Sequence, residues 1–344
     1  MEQLFSSAGH GLQIGLDWLG FTFDSLEISH AMEFLNFSSA DFQYFDSGAY
    51  GYRKRLRHRM QGISLLYDGH AGMGVHLEVS GTSLFNFLQD FIAGHSFLSP
   101  FGDALDLTDY NDLLSWFFGV MNRKGHFSRI DLAVDDVGQK YYSMLDLHRF
   151  NESGMYLTKS RQWKEIIETA APVDFTPGEI TGYTIYIGSR QSDTFLRIYD
   201  KRLEQNKKLK ARGMPEIKEK WVRWELEIKG DNARNLALLF SSGKKDLRSV
   251  TLGILANYIR FVIPDNSRKS RCSTDSVWAS FLGGMESCRI GAGRRLLDDI
   301  ELREQWLMRS CSRTVYEVFD AHGGDIEFLQ RLLEMGQCRS GASM

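Results

Sequence analysis

The chain has 344 residues, of which 43% are hydrophobic and 25% are charged, so it can bury a core and is not a disordered polypeptide. The four cysteines form no CxxC pair, which argues against a zinc ribbon or a disulfide framework, and no apolar run is long enough to predict a membrane span. The formal net charge is -3, so the molecule as a whole is not a polycation. We expect a cytoplasmic protein with reduced thiols and no membrane partner.

Hydrophobic periodicity predicts many strands in the first two thirds of the chain. Leu12 to Phe23 is typical of a strand, and the pair Asp24 and Glu27 predicts a capped helix that ends near Asn36. Further strands are predicted over 61–67, 74–80, 127–135, 184–188, 194–199 and 221–229, and helices over 82–93, 109–120 and 201–211.

After Gly230 the pattern predicts helices only. They are expected over 232–240, 247–262, 276–285, 294–310 and 325–335, and the polar stretch 264–275 is typical of a linker. We therefore predict an α+β domain over 1–263, with an antiparallel-rich central sheet and flanking helices. An all-helical C-terminal region follows over 264–344.

Basic residues are concentrated in two segments of this weakly acidic chain. Residues 1–52 contain seven acids and no Lys or Arg, and the first basic segment, 53–59, follows them directly. The second basic segment, 197–223, contains ten bases and four acids, hence 10 - 4 = +6. A DNA-binding surface is predicted there, and a solvated surface without such a partner is the alternative. The predicted DNA-binding residues are Arg53, Lys54, Arg55, Arg57, Arg59, Lys201, Arg202, Lys207, Lys208, Lys210 and Arg212.

Three predicted strands carry polar residues on the face opposite to their apolar residues. Clustered carboxylates repel each other unless a cation lies among them, so this pattern predicts a divalent metal held by oxygen ligands and one imidazole. The alternative is an exposed face on which acids pair with Lys and Arg. The residues concerned are Asp131, Asp135, Glu225, Glu227, His76 and Glu78.

The strand over 194–199 contains a candidate nucleophile. Arg197 and Tyr199 share one face, and Lys201 follows the strand. A phenol is a poor nucleophile until a nearby cation stabilises its phenolate. We predict that Tyr199 projects over the acidic face of the sheet, with Arg197 and Lys201 beside it.

Six short segments resemble, in order, those of the replication initiation factor family (Rep_trans). They begin at Asp17 (DWLGFT), His76 (HLEVSG), Arg129 (RIDLAVDD), Ile185 (IYIGSR), Phe195 (FLRIYDK) and Arg223 (RWELE). The resemblance covers about residues 12–240. It implies a fold related to the tyrosine nickases of the HUH class, although the His-hydrophobe-His motif is replaced by His76-Leu77-Glu78.

The resemblance also implies an activity, the metal-dependent nicking of one origin DNA strand to start rolling-circle replication. Tyr199 is the implied nucleophile, forming a 5′-phosphotyrosine, and Asp131 and Glu225 are the implied ligands of Mg²⁺ or Mn²⁺. Because no GxxxxGK[ST] motif is present, a host helicase is expected to unwind the DNA.

Several alternatives remain open at this point. Termination would use either a water molecule or Tyr199 of a second subunit in a homodimer. The competing functions are a non-catalytic origin-binding protein or repressor, a metal-dependent nuclease in which water attacks, and a transposon relaxase with the same tyrosine chemistry.

Overall fold

A computed structural model describes residues 11–24, 26–95, 110–172, 175–285, 287, 288, 290 and 307–340. The chain forms two compact units, Met1–Ala292 and Gly293–Met344. The predicted boundary at residue 264 therefore lies inside the first unit. Trp278 and Phe281 explain this, because both are buried and lie 5.5 and 5.1 Å from the ring of Trp224 in the central sheet.

The first unit is built on a ten-stranded sheet in which every neighbouring pair is antiparallel. The spatial order is β2-β3-β4-β5-β1-β6-β11-β10-β9-β8. The strands are β1 (Leu12–Phe23), β2 (Phe42–Phe45), β3 (Lys54–His58), β4 (Ile63–Tyr67), β5 (Val75–Ser80), β6 (Gly125–Val137), β8 (Trp163–Thr169), β9 (Ile180–Ile187), β10 (Thr194–Asp200) and β11 (Trp221–Lys229). A second sheet pairs β7 (Tyr156–Thr158) with β12 (Ile259–Phe261).

The strand alternation places one apolar row on the core face of the sheet. Val134, Trp224 and Ile198 are in register across β6, β11 and β10, and each is at most 1% exposed. Burial of such a row is the main favourable term in forming the sheet. The predicted assignment of these residues to the core is confirmed, and with it the α+β class with an antiparallel central sheet.

Among the described residues of the first unit, the α-helices are α1 (Ile28–Phe34), α2 (Gly81–Gly94), α3 (Tyr110–Asn122), α4 (Met144–Glu152), α5 (Lys201–Ala211), α6 (Gly230–Ser241), α7 (Leu247–Tyr258) and α8 (Ser276–Leu282). Helices α2, α3, α6 and α7 contact β1, β5, β6 or β11 of this sheet. The predicted helix over 201–211 is confirmed, and Asp200 caps it by accepting a 2.9 Å hydrogen bond from the Leu203 amide.

The predicted capping box at Asp24 and Glu27 is wrong. Helix α1 begins at Ile28, and the Glu27 side chain makes no capping hydrogen bond. The Asp24 carboxylate instead lies 2.6 Å from Nδ1 of His126. A capping box is predicted from local sequence alone, and here the contact of Asp24 with His126 engages the side chain that would have capped the helix.

The prediction that strands end at Gly230 is also wrong. Helix α7 stops at Tyr258, and the next three residues form β12 against β7. The predicted linker after it is exposed over 264–271 but is held to the unit, because the Ile263 amide donates to the Ser273 carbonyl at 2.9 Å and Cys272 is only 4% exposed. Strands β7 and β12 have three residues each and pair across about 100 residues of sequence, so neither gives a periodic signal. Strands β2, β3 and β8 were also not predicted, although each pairs with a strand close to it in sequence.

The described part of the second unit contains a π-helical turn (Leu307–Cys311) and two helices, α9 (Ser312–Ala321) and α10 (Ile326–Ser340). The helix predicted over 325–335 is confirmed, whereas most of the one predicted over 294–310 lies outside the described residues. Among the helices that the structure describes, none is both long and apolar enough to cross a membrane.

Candidate active site

The side chain of Tyr199 meets its predicted partners at the end of β10. Its hydroxyl donates a hydrogen bond to Oε2 of Glu225 at 3.2 Å and accepts one from Nζ of Lys201, also at 3.2 Å. Arg197 donates to the other oxygen of Glu225, because Arg197 and Glu225 are in register on β10 and β11. The structure thus brings together all three predicted catalytic residues and one predicted metal ligand.

The surroundings of Tyr199 favour the neutral phenol before any reaction. The residue is 8% exposed, and burial, followed by the charge of Glu225, raises its pKa above the ordinary value. Burial also raises the pKa of Glu225 and lowers that of Lys201. A carboxylate whose pKa is raised is a better proton acceptor, and it lies where the phenol proton points.

The tyrosine also lines a cavity of about 170 Å³ between β9, β10 and α5. The charged residues at this cavity include Arg197, Glu204 and Lys207. Lys201 donates to Glu204 at 2.5 Å, so the ammonium group is held between a carboxylate and the Tyr199 hydroxyl. The phenol oxygen is therefore surrounded by polar and charged groups and does not lie in the apolar core.

Several carboxylates lie on the polar face of β6 and β11, and each of them forms an ion pair with an arginine. Arg129 donates to both oxygens of Asp131, at 2.8 and 2.5 Å, and lies 3.0 Å from Glu227. Burial raises the pKa of Asp131 to about 7, against the opposing effect of Arg129, and the charges of Glu225 and Glu227 raise it further. The acids are paired with arginines, as in the alternative of an exposed face, but Asp131, Asp135 and Glu225 are buried and not exposed.

This arrangement does not fit a formed metal site. Among the residues that the structure describes, no group of three or more His, Cys, Asp or Glu side chains surrounds a common position. Oxygen ligands of Asp131 and Glu225 suit Mg²⁺ or Mn²⁺ chemically, but their oxygens are used by Arg129, Arg197 and Tyr199. Metal ligation by these residues stays a prediction.

Asp135, another predicted ligand, lies in a sealed ion pair. It is 0% exposed, and its two oxygens accept 2.7 Å hydrogen bonds from Nε and Nη2 of Arg223. Trp221 donates to the same carboxylate at 2.7 Å, and Asp17 binds the remaining side of the guanidinium at 2.5 Å. Both oxygens of Asp135 accept hydrogen bonds inside the protein, so neither is available to bind a metal in this arrangement.

His76 and Glu78 lie on β5, on the other side of β1 from Asp131. Nδ1 of His76 is 2.9 Å from Oγ1 of Thr22, and burial lowers the pKa of this histidine to about 4. Glu78 is opposite Gly20 in the register. These two predicted ligands line a second cavity, and Tyr199 is not among its lining residues.

Comparison with known proteins decides the family. The profile of the family described as Replication initiation factor (Rep_trans) matches residues 125–333, more than half of the chain. The chain belongs to the replication initiation factor family. The predicted family is thereby confirmed, together with the predicted class of function, replication initiation at origin DNA.

Two relatives of this family member extend the comparison. A Bacillus subtilis (strain 168) protein provisionally named DNA relaxase NicK is 28% identical over 309 residues, which cover 89% of this chain and 80% of that protein. A rolling circle replication initiator protein from Geobacillus stearothermophilus matches in structure with a TM-score of 0.62 and 24% identity, over 81% of this chain and 98% of that one. The latter likeness shows the shared fold.

The predicted DNA-binding residues of this replication initiation factor form two separate groups. The first lies on β3 and just beside it, and the second on α5, which follows β10. Six inter-strand steps separate β3 from β10, roughly 29 Å at about 4.8 Å per step. Arg53 and Lys54 pair with Asp68 at 2.7 and 3.3 Å, whereas Arg57 and Arg59 are exposed at the far side of the polar face from Tyr199.

Within the α5 group, several bases also have acidic partners. Lys207 pairs with Glu168, Lys208 with Glu204, and Arg202 lies 3.6 Å from Asp200. Lys210 and Arg212, at the C-terminal end of this segment, are exposed. The α5 group therefore adjoins the active site through Lys201, and the β3 group is separate from it, so the two do not form one patch.

Sequence reasoning missed three residues that organise the active site: Asp17, Arg129 and Arg223. The period-two spacing of Arg129 and Asp131 could have paired these two residues, whereas Arg223 pairs with Asp135, its register partner on the neighbouring strand β6. Asp17 lies at a β-bulge, where the register shifts between Leu16 and Trp18. A bulge cannot be read from alternation, so only the fold reveals that Asp17 reaches Arg223.

Proposed function

We propose that this replication initiation factor nicks one strand of origin DNA by transesterification on Tyr199. The phenol oxygen forms a bond to the scissile phosphorus, the phenol proton passes to Glu225, and the bond from phosphorus to the 3′ oxygen breaks. Water supplies the proton for the departing 3′ hydroxyl. The product is a 5′-phosphotyrosine, which keeps the energy of the phosphodiester for later rejoining.

The position of the Tyr199 hydroxyl carries this proposal. It lies 3.2 Å from a carboxylate oxygen that can accept its proton and 3.2 Å from an ammonium group that can stabilise its phenolate. Arg197, whose guanidinium lies 5.2 Å from the centre of the Tyr199 ring, adds a second positive charge beside the tyrosine. Positive groups fixed before the reaction are effective where negative charge develops on phosphate oxygens.

Substrate binding in this proposal uses both basic groups, the one near β3 and the one on α5. Lysines and arginines near β3 and on α5 hold phosphates on either side of the strand that is cut. A host helicase supplies unwinding, the protein acts in the bacterial cytoplasm, and a second subunit's Tyr199 or water completes termination. The name of the Bacillus relative favours DNA relaxation by the same chemistry as a second use.

Metal dependence is a separate prediction of the family resemblance. It is tested by nicking labelled origin DNA in EDTA and then adding Mg²⁺ or Mn²⁺. Loss in EDTA with recovery in Mn²⁺ would support it, whereas equal activity in EDTA would contradict it.

The nucleophile is tested by a covalent adduct assay. End-labelled origin DNA incubated with the full chain should give a protein–DNA adduct on a denaturing gel, and Tyr199→Phe should give none. Tyr186→Phe is the matched control, because Tyr186 lines the same cavity but bonds Arg190 and stacks on Phe195. Adduct formation by Tyr199→Phe would contradict the assignment.

The same gel separates the competing functions. Cleaved DNA without an adduct would identify a nuclease in which water attacks. Tight, salt-sensitive binding without cleavage in any metal would identify a non-catalytic origin-binding protein or repressor.

A further inference from the structure

A second cavity, of about 480 Å³, lies on the polar side of the sheet, toward β5. Its volume is in the range of known ligand sites, roughly 300–1,000 Å³. Glu227 lines it, and Arg223, the register partner of Tyr199, lies four residues away along β11, about 13 Å at ~3.3 Å per residue. An occupant of this cavity would therefore lie beside the reacting phosphate and not on it. Its main lining residues are Trp18, Tyr50, Tyr52, His76, Glu78 and Arg129.

A glycine keeps the floor of this cavity open. Gly20 is in register with Glu78 on one side and with Arg129 on the other. A Cβ atom at this position would lie 3.0 Å from Oγ of Ser128 and 3.3 Å from Cβ of Arg129. Any side chain here would project into the space between Glu78 and Arg129.

Tyr50 is held at the rim of the cavity in an uncommon backbone conformation. Its φ is 55°, in the left-handed region that favours glycine, and its side chain is 73% exposed. An exposed aromatic ring in a strained turn contributes little to folding, and such strain is concentrated at binding sites. Its ring forms a T-shaped pair with that of His76, with centroids 6.1 Å apart, and no other ring contact of Tyr50 is found among the residues that the structure describes.

Glu78 is a lining carboxylate with remaining capacity to accept hydrogen bonds. Arg129 is already bound to Asp131 and Glu227, and the Tyr52 hydroxyl donates to the Met73 carbonyl at 3.0 Å. Glu78 interacts with the Tyr50 hydroxyl and with the charge of Arg55, and a carboxylate can accept about four hydrogen bonds in all. The cavity thus pairs an aromatic surface with a carboxylate acceptor.

We propose that this cavity binds one unpaired base of the DNA strand next to the nick, a base that carries an exocyclic amine. The base stacks on Tyr50, and its amine donates a hydrogen bond to Glu78. Stacking on aromatic rings is the general way in which proteins hold single-stranded bases, and carboxylates accept from the amine of cytosine. This inference rests on the proposed function, since that function makes a single DNA strand the substrate.

The test uses the full chain and three fluorescently labelled single-stranded hexamers, namely oligo-deoxycytidine, oligo-deoxythymidine and an abasic backbone. The wild type should bind the cytidine hexamer about 10-fold more tightly than the abasic one, as expected for one stacked base. Tyr50→Gly should remove that advantage without lowering the melting temperature, because glycine relaxes the left-handed turn. Glu78→Gln should remove the preference for cytidine over thymidine and keep the advantage over the abasic strand.

Controls make each outcome decisive. Tyr44→Ala, which removes another exposed tyrosine outside the cavity, should leave all three affinities unchanged. Gly20→Val should weaken cytidine binding as Tyr50→Gly does, by filling the floor. Equal binding of the three hexamers by the wild type, or unchanged discrimination in Tyr50→Gly, would overturn the base site even if Tyr199 forms its adduct. Discrimination without any adduct would keep the base site and reject the nicking proposal.

Discussion

Asp135 and Glu225 are carboxylates on adjacent strands and on the same face of the sheet, yet their surroundings differ. Asp135 is enclosed by two parallel bonds from Arg223 and a third from Trp221. Glu225 shares its oxygens between Arg197 and the hydroxyl of Tyr199, beside a cavity. The comparison teaches that a buried carboxylate stabilises a fold when its partners are fixed cations, and can act chemically when one partner is a titratable hydroxyl.

Disruption of the buried ion pair between Asp135 and Arg223 should have the largest effect on the stability of the fold. We expect Asp135→Asn to lower the free energy of unfolding by about 3 kcal/mol, because it leaves the buried guanidinium of Arg223 with an incomplete counter-charge. Chemical denaturation measures this loss. Asp231→Asn is the control, since Asp231 pairs with Arg234 at 3.1 Å but is 79% exposed, and its change should stay within about 0.5 kcal/mol. If both variants lowered the free energy of unfolding equally, the buried pair of Asp135 would be no more important to stability than an exposed pair.

Substitutions beside Tyr199 should change the rate of adduct formation more than they change the stability of the fold. Lys201→Met is expected to slow adduct formation about 100-fold, or about 2.7 kcal/mol, because the ammonium that stabilises the Tyr199 phenolate is lost. Single-turnover nicking measures the effect. Lys208→Met is the matched control, because Lys208 also binds Glu204 but its side chain is 56% exposed and makes no bond to Tyr199. A wild-type rate in Lys201→Met would remove Lys201 from the mechanism.

Asp131 should show how burial opposes ionisation on the same face. Its pKa of about 7 in the fold exceeds the ordinary 3.8, so folding favours the protonated form, and this contribution is lost as the pH rises toward 7. The unfolding free energy of the wild type, minus that of Asp131→Asn, should therefore fall by about 2 kcal/mol between pH 5 and pH 7.5. A difference that is constant with pH would show that Arg129 keeps Asp131 ionised.

The smallest effect is expected at the exposed bases beside the sheet. Arg57→Gln with Arg59→Gln should weaken binding of origin DNA several-fold and reduce the slope of log affinity against log salt by about 2, because two phosphate contacts are lost. Fluorescence anisotropy over a salt series measures both quantities. Adduct formation at saturating DNA should not change. An unchanged salt slope would show that DNA does not reach β3.

The sequence alone determined the class of the fold and the identity of the candidate nucleophile. Alternation in the strands of Asp131, Tyr199 and Glu225 placed these side chains on the polar face, because side-chain direction in a strand follows period two without reference to the rest of the chain. The order of six short motifs then indicated the family. The same local rules also predicted α5, and the structure adds that Asp200 caps it.

Only the tertiary structure decided what neutralises the acids. The metal predicted for Asp131, Asp135, Glu225 and Glu227 stays a prediction, and in the fold arginines of the same strand or of a neighbouring strand pair with these carboxylates. Strand order, the bulge at Asp17 and the turn that exposes Tyr50 set which side chains meet, and these depend on contacts between residues far apart in sequence. Local patterns tell which way a side chain points, and long-range packing decides what it touches.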